Sequence, residues 1–170
     1  MERFQIFFTF FIFISAEVKA QASASADITA TIVSPISIAK VPGKDLSFGS
    51  IAPSHAAGLV ILSANGSRSA QGGAALPSNG GNITPAEFKV TGEGSYSFSI
   101  GLPTTPVIMI NSGNSETMIV EGFTSSPENT GTLSGGERIV KVGATLKINP
   151  NQARGQYYSA TPFTVTVNYN

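Results

Sequence analysis

The sequence predicts an all-β fold, an antiparallel sandwich of about nine or ten short strands. Three observations carry this reading. Apolar and polar residues alternate with period two near both ends of the chain, clusters of Gly, Pro, Asn and Ser recur between short apolar runs, and no long window places apolar residues at helical spacing.

Taken in order, Met1–Ala20 opens with Glu2 and Arg3 and continues as FQIFFTFFIFIS, whose apolar core from Phe4 to Ile14 is too short to cross a bilayer as a helix of about twenty residues. Residues 1–20 therefore read as a signal peptide, with small residues that place cleavage after Ala20 or Ala22. The rest of the chain is expected to be exported, with no membrane span. In residues 21–33, Ala22, Ala24, Ala26, Ile28, Ala30 and Ile32 share one face and Ser23, Ser25, Asp27, Thr29 and Thr31 the other, which predicts an extended strand.

Residues 34–170 are expected to form a single sandwich domain. After Pro35, Ile36–Val41 and Leu46–Gly49 read as two successive segments. Gly58–Ser63 and Arg68–Gln71 flank Asn65-Gly66, a dipeptide suited to the positive φ angles of a two-residue hairpin turn. Further strands are predicted at Ala86–Thr91, Tyr96–Leu102, Val107–Asn111, Thr117–Phe123, Arg138–Val142, Thr145–Ile148, Tyr157–Ala160 and Phe163–Tyr169. Turn clusters such as PSNGGN (Pro77–Asn82) and SSPENTGT (Ser125–Thr132) separate them. Strands at this spacing over about 150 residues suit an antiparallel immunoglobulin-like β-sandwich.

Composition narrows the function classes. Ten basic and ten acidic residues balance, and 12% charged residues is about half the usual share. Such a surface suits neither a phosphate backbone nor an anionic membrane, so no nucleic-acid partner is expected. The chain has no cysteine, which excludes disulfides, thiol chemistry and a lipidated cysteine and leaves stability to packing and strand pairing.

The residues of catalysis are sparse. His55, the single histidine, stands two residues after Pro53 with no acid near it in sequence, so a nucleophilic triad has one candidate base and no evident partner. Glu116 and Glu121 point to opposite faces if both lie on one strand, and paired carboxylates are not expected. The stretch GGAALPSNGG lacks the lysine of a phosphate loop, and no loop clusters oxygen ligands for a metal. No catalytic residue, cofactor or metal is assigned, and enzyme activity is not expected.

The closing stretch PFTVTVNYN is more informative. Phe163, Val165, Val167 and Tyr169 share one face, Thr164, Thr166 and Asn168 the other, and the strand carries no charge. Free strand edges are usually blunted with lysine, proline or bulges, so an uncharged last strand invites a strand from another molecule.

LSFGSIAP (Leu46–Pro53), FKVTGEGSYSFSIGLP (Phe88–Pro103), VGATLKINPNQARGQYYS (Val142–Ser159) and the final FTVTVNYN resemble an uncharacterised family of secreted bacterial domains. That family is similar to spore coat protein U and to the subunits of chaperone-usher pili. The resemblance implies a pilin-like sandwich that lacks its final strand. It further implies that Phe163, Val165, Val167 and the penultimate Tyr169 form the strand a periplasmic chaperone pairs with. Ala24, Ala26, Ile28, Ala30 and Ile32 would form the donor strand inserted into the next subunit. The expected function is that of an exported structural or assembly protein, a fimbrial or pilin-like subunit of the bacterial cell surface that self-associates by strand addition. It would lie in the periplasm, on the outer surface or in an extracellular fibre. The alternative is a monomeric secreted surface or periplasmic binding module that uses the loops Leu76–Thr84 and Ser125–Gly136.

Overall fold

The computed structural model describes residues 19–170, so the expected signal peptide falls outside the described residues except for Lys19 and Ala20. The chain divides into two units, Met1–Ile32 and Val33–Asn170. In the first unit, the described residues 19–32 form no strand and all are exposed. Residues 21–33, where an alternating strand is expected, pair with no strand of this chain among the described residues. Each alanine of the segment would bury a single methyl against a neighbour.

The second unit is an antiparallel β-sandwich, and no helix occurs among the described residues. Its strands are β1 (Ser37–Lys40), β2 (Ala52–Leu62), β3 (Arg68–Ala75), β4 (Ala86–Thr91), β5 (Ser97–Gly101), β6 (Val107–Asn111), β7 (Thr117–Ser126), β8 (Thr130–Thr132), β9 (Glu137–Ile148), β10 (Tyr157–Ser159) and β11 (Thr166–Tyr169). The larger sheet runs β1-β4-β9-β7-β6-β10, with the β2–β3 hairpin joined to it through β9. The smaller sheet runs β11-β5-β8.

β9 organises the larger sheet. Its first half pairs with β4, from Glu137 opposite Thr91 to Val142 opposite Ala86, and its second half pairs with β2, from Ala144 opposite Leu62 to Ile148 opposite Gly58. β7 covers the other edge. Sequence patterning splits this strand into two at Gly143, whereas the structure keeps it whole. Gly143 is the residue at which the neighbour changes, and it packs against the backbone of Leu62, Ser63 and Ala64 too closely for any side chain.

Other boundaries shift too: β2 begins six residues early at Ala52, and β3 and β7 run on to Ala75 and Ser126. The β2–β3 connection is a three-residue loop, not the expected two-residue turn: Gly66 N–H bonds the Ser63 carbonyl, and Ser63 N–H bonds the Ser67 carbonyl. Gly66 takes φ +91°, the left-handed residue that such loops require. β8 lies inside the SSPENTGT cluster, where only a turn is expected. The last strand begins at Thr166 rather than Phe163, because its partner β5 ends at Gly101, and Leu102-Pro103 follow, where proline has no N–H to donate.

Alternation buries two adjoining cores. One gathers Val60, Leu62, Met118, Val120, Ala144, Leu146 and Ile148 from the larger sheet beneath Phe48, with Leu46, Ile51, Leu76 and Ile83 packed around it. The other joins Val90, Val140 and Val142 to Phe98, Ile100, Leu133 and Val165 of the smaller layer. Leu46 and Phe123 border both. Each fully buried Val, Leu or Phe contributes roughly 1.5–3 kcal/mol of transfer free energy, which is what a cysteine-free domain has to rely on. On the outer face of the larger sheet, Lys89–Glu137 and Lys147–Glu121 pair at 2.6 Å.

Candidate functional site

The alternating pattern at the C-terminus orients β11 as expected. Val165 is buried, Phe163, Val167 and Tyr169 are half-buried, and Thr164, Thr166 and Asn168 are exposed. Phe163 sits in an aromatic cluster, edge-on to Phe88 at 6.0 Å and tilted against Phe123 at 5.1 Å. One edge of β11 pairs with β5, in a register that sets Thr166 opposite Gly101 and Tyr169 opposite Phe98. Among the described residues, the other edge pairs with no strand. β1 is likewise an edge, pairing only with β4, and its Ile38 packs against the same core as Val167. The two sheets thus present free edges, β1 and β11, to one seam of the sandwich.

The far end of that seam is tied by hydrogen bonds. The Tyr169 hydroxyl donates to the Ser34 carbonyl at 2.9 Å and accepts from the Glu93 backbone N–H at 2.6 Å. Ser34 N–H donates in turn to the Glu93 carboxylate at 2.9 Å. Gly92 makes room for this arrangement, since a Cβ there would fall on the Tyr169 hydroxyl. The Tyr169 ring lies edge-on to Tyr96 at 5.6 Å. Sequence pattern places Tyr169 on the inner face, but its bonds to Ser34 and Glu93 leave no signal in the chain.

The Ser34 N–H stabilises the ionised Glu93 carboxylate and holds its pKa below the ordinary glutamate value. A carboxyl whose pKa is lower in the folded than in the unfolded chain adds stability above the unfolded value, and that contribution fades as pH falls through the folded one. Acidification across this window is expected to release Ser34, seen as a fall in the amide protection factor at Ser34 before the domain unfolds. Glu93→Gln should remove that pH dependence.

Ala24, Ala26, Ile28, Ala30 and Ile32, the expected donor residues, lie outside every sheet, and Ile28 and Ile32 are 97% and 98% exposed.

A second feature was not anticipated from the sequence. A cleft of about 560 Å³ opens over the first core between the segment 46–53 and the segment 152–157. Phe48, Ile51, Met109, Met118 and Leu146 are among its apolar lining. At its rim the Gln152 amide donates to Glu116 at 3.0 Å and to the Tyr157 hydroxyl at 2.8 Å, and accepts from Asn149 N–H at 3.2 Å. Arg68 holds the opposite wall through the carbonyls of Phe48 and Ser50. The loop Leu76–Thr84 is less free than its polar composition implies: Leu76 and Ile83 pack on the core and Gly80 accepts from Ser50 N–H.

Glu116, Glu121 and His55 have separate partners. Glu121 pairs with Lys147 while Glu116 serves Gln152 and Ala153 N–H, and His55 Nδ1 lies 2.6 Å from the Asn151 side-chain oxygen.

A family model matches residues 36–169, from the residue before β1 to the last residue of β11. The chain belongs to that family, described as a domain of unknown function (DUF4402). The DUF4402 match spans the sandwich and both seam edges, and begins after the alternating segment. No curated protein and no solved structure matches the chain.

Proposed function

We propose that this chain is an exported, pilin-like structural subunit of the bacterial cell surface that assembles by β-strand addition, residues 22–33 of one copy pairing beside β11 of the next. The observation that carries the reading is the coexistence, in one chain, of an uncharged β11 edge and an exposed alternating segment, neither of which pairs with a strand among the described residues. The arrangement suits an immunoglobulin-like sandwich short of its final strand, and similarity to spore coat protein U and chaperone-usher subunits belongs to the same reading. Main-chain bonds along β11 supply affinity, and Ile28 and Ile32 supply the anchors. Before assembly a periplasmic chaperone would cover Phe163, Val165, Val167 and Tyr169.

The test compares the chain beginning at Gln21 with one beginning at Ser34, by size exclusion and electron microscopy. Ladders or fibres from the longer chain, and monomers from the shorter and from an Ile28→Asp, Ile32→Asp variant, are expected. A longer chain that stays monomeric at high concentration would overturn the proposal. The second reading, a monomeric surface or periplasmic binding module, is favoured by the cleft over the first core, whose size falls within the range of ligand pockets.

A further inference from the structure

Register is a problem for any strand built mainly of alanine. A slip of one residue turns the wrong face inward, but a slip of two keeps the same face and, in the first half of the segment, merely exchanges Ala22, Ala24 and Ala26 for one another. Only Ile28 and Ile32 would resist it. Something in the acceptor has to say where the added strand stops.

The hydrogen bonds at the end of the seam are placed to do this. Tyr169 is the last residue of β11, Ser34 precedes β1, and Glu93 lies in the turn that carries the chain from the larger sheet to the smaller. The Tyr169 side chain therefore bridges from one free edge to the backbone leading into the other. Both backbone groups of Ser34 are engaged, the N–H by Glu93 and the carbonyl by Tyr169. A strand sliding along β11 past Tyr169 would have to break these bonds in sequence, and Gly92 shows how closely the hydroxyl is seated.

We infer that Tyr169, Ser34 and Glu93 form a register stop that fixes which residues of an added strand face β11; the inference rests on the strand-addition reading above. Tyr169 and Glu93 act here as positioning residues. Their removal leaves the β11 edge able to pair but in several registers two residues apart.

The absence of cysteine makes the test direct, because any disulfide is an introduced one. In chains beginning at Gln21, one cysteine replaces Asn168 and a second replaces Ser25, Asp27, Thr29 or Thr31 in turn; oxidation joins only pairs whose Cα atoms come within about 7 Å. With Tyr169 present, one intermolecular cross-link should dominate. In Glu93→Ala, whose side chain is not part of either core, the dominant product should lose about fivefold of its preference over its neighbour two residues away, the worth of one hydrogen bond, and in Tyr169→Phe, which removes two, it should independently lose at least as much. Assembly that keeps a single dominant cross-link in both variants overturns the register stop while leaving strand addition standing. A parent chain that never assembles overturns strand addition and the register stop with it.

Discussion

Phe98→Ala is expected to lower the unfolding free energy by about 3–5 kcal/mol, the usual cost of emptying a buried aromatic site. Phe98 has no exposed surface and belongs to the middle strand of the three-stranded sheet. It pairs with Tyr169 on one side and Gly131 on the other, and its ring fills the space where Gly131 has no side chain; a Cβ there would come within 2.5 Å of the ring. The cavity cannot be refilled from β8, which offers only Thr-Gly-Thr. Against a total stability of about 5–15 kcal/mol for a domain, such a loss is severe. The midpoint of urea unfolding should fall sharply with an unchanged slope. A change below about 1 kcal/mol would mean that the ring is not what joins the two sheets.

Gly143→Ala should cost at least as much as ordinary overpacking, about 1–3 kcal/mol, although it adds a single methyl. In most crowded sites a neighbouring side chain rotates away, but here the atoms in the way are the Leu62 carbonyl, Ser63 and the Ala64 nitrogen, all backbone. The strain can be relieved only by moving β2 from β9, which weakens the pairs from Leu62–Ala144 outward. The expected signature is therefore local as well as global: faster amide exchange in β2 and the end of β9, with β1 and β4 protected as before. Gly113→Ala is the control, since its Cβ would meet only the Asn111 side-chain oxygen at 3.4 Å, and it should change stability by less than about 0.5 kcal/mol.

The two glycines also mark where sequence reasoning succeeds and where it stops. β4 and β6 are legible to the residue, because β4 alternates, β6 is a short apolar run, and turn residues flank both. Gly143 looks like a break, since a glycine within a strand pattern ordinarily signals a bulge or an end; only the neighbouring β2 backbone explains it. β8 is illegible for the converse reason. Thr-Gly-Thr among Pro, Glu and Asn has no strand pattern of its own, and it becomes a strand because β5 offers an edge and the Phe98 ring requires a glycine opposite. At the seam, the inward face of Phe163, Val165, Val167 and Tyr169 is written in the alternation. The ties of Tyr169 to Ser34 and Glu93 join residues up to 135 positions apart, and no local pattern encodes them. The cleft is hidden likewise, since Phe48, Met109 and Leu146 come from separate parts of the chain. At residues 21–33 the alternation is plain but the sheet pairing it leads one to expect is missing, because a pattern specifies a face and not the neighbour that covers it.

The sharing of β9 among β2, β4 and β7 also sets a clock. Gly58 must wait for Ile148, ninety residues downstream, before it has a neighbour on that side. During synthesis, a chain that has reached only β7 can close the β2–β3 hairpin and pair β1 with β4, yet the strand that would join these pieces is still unmade. Closing loops of this length before any contact rewards them makes folding slow. The larger sheet thus cannot be joined until the last quarter of the chain is available to it.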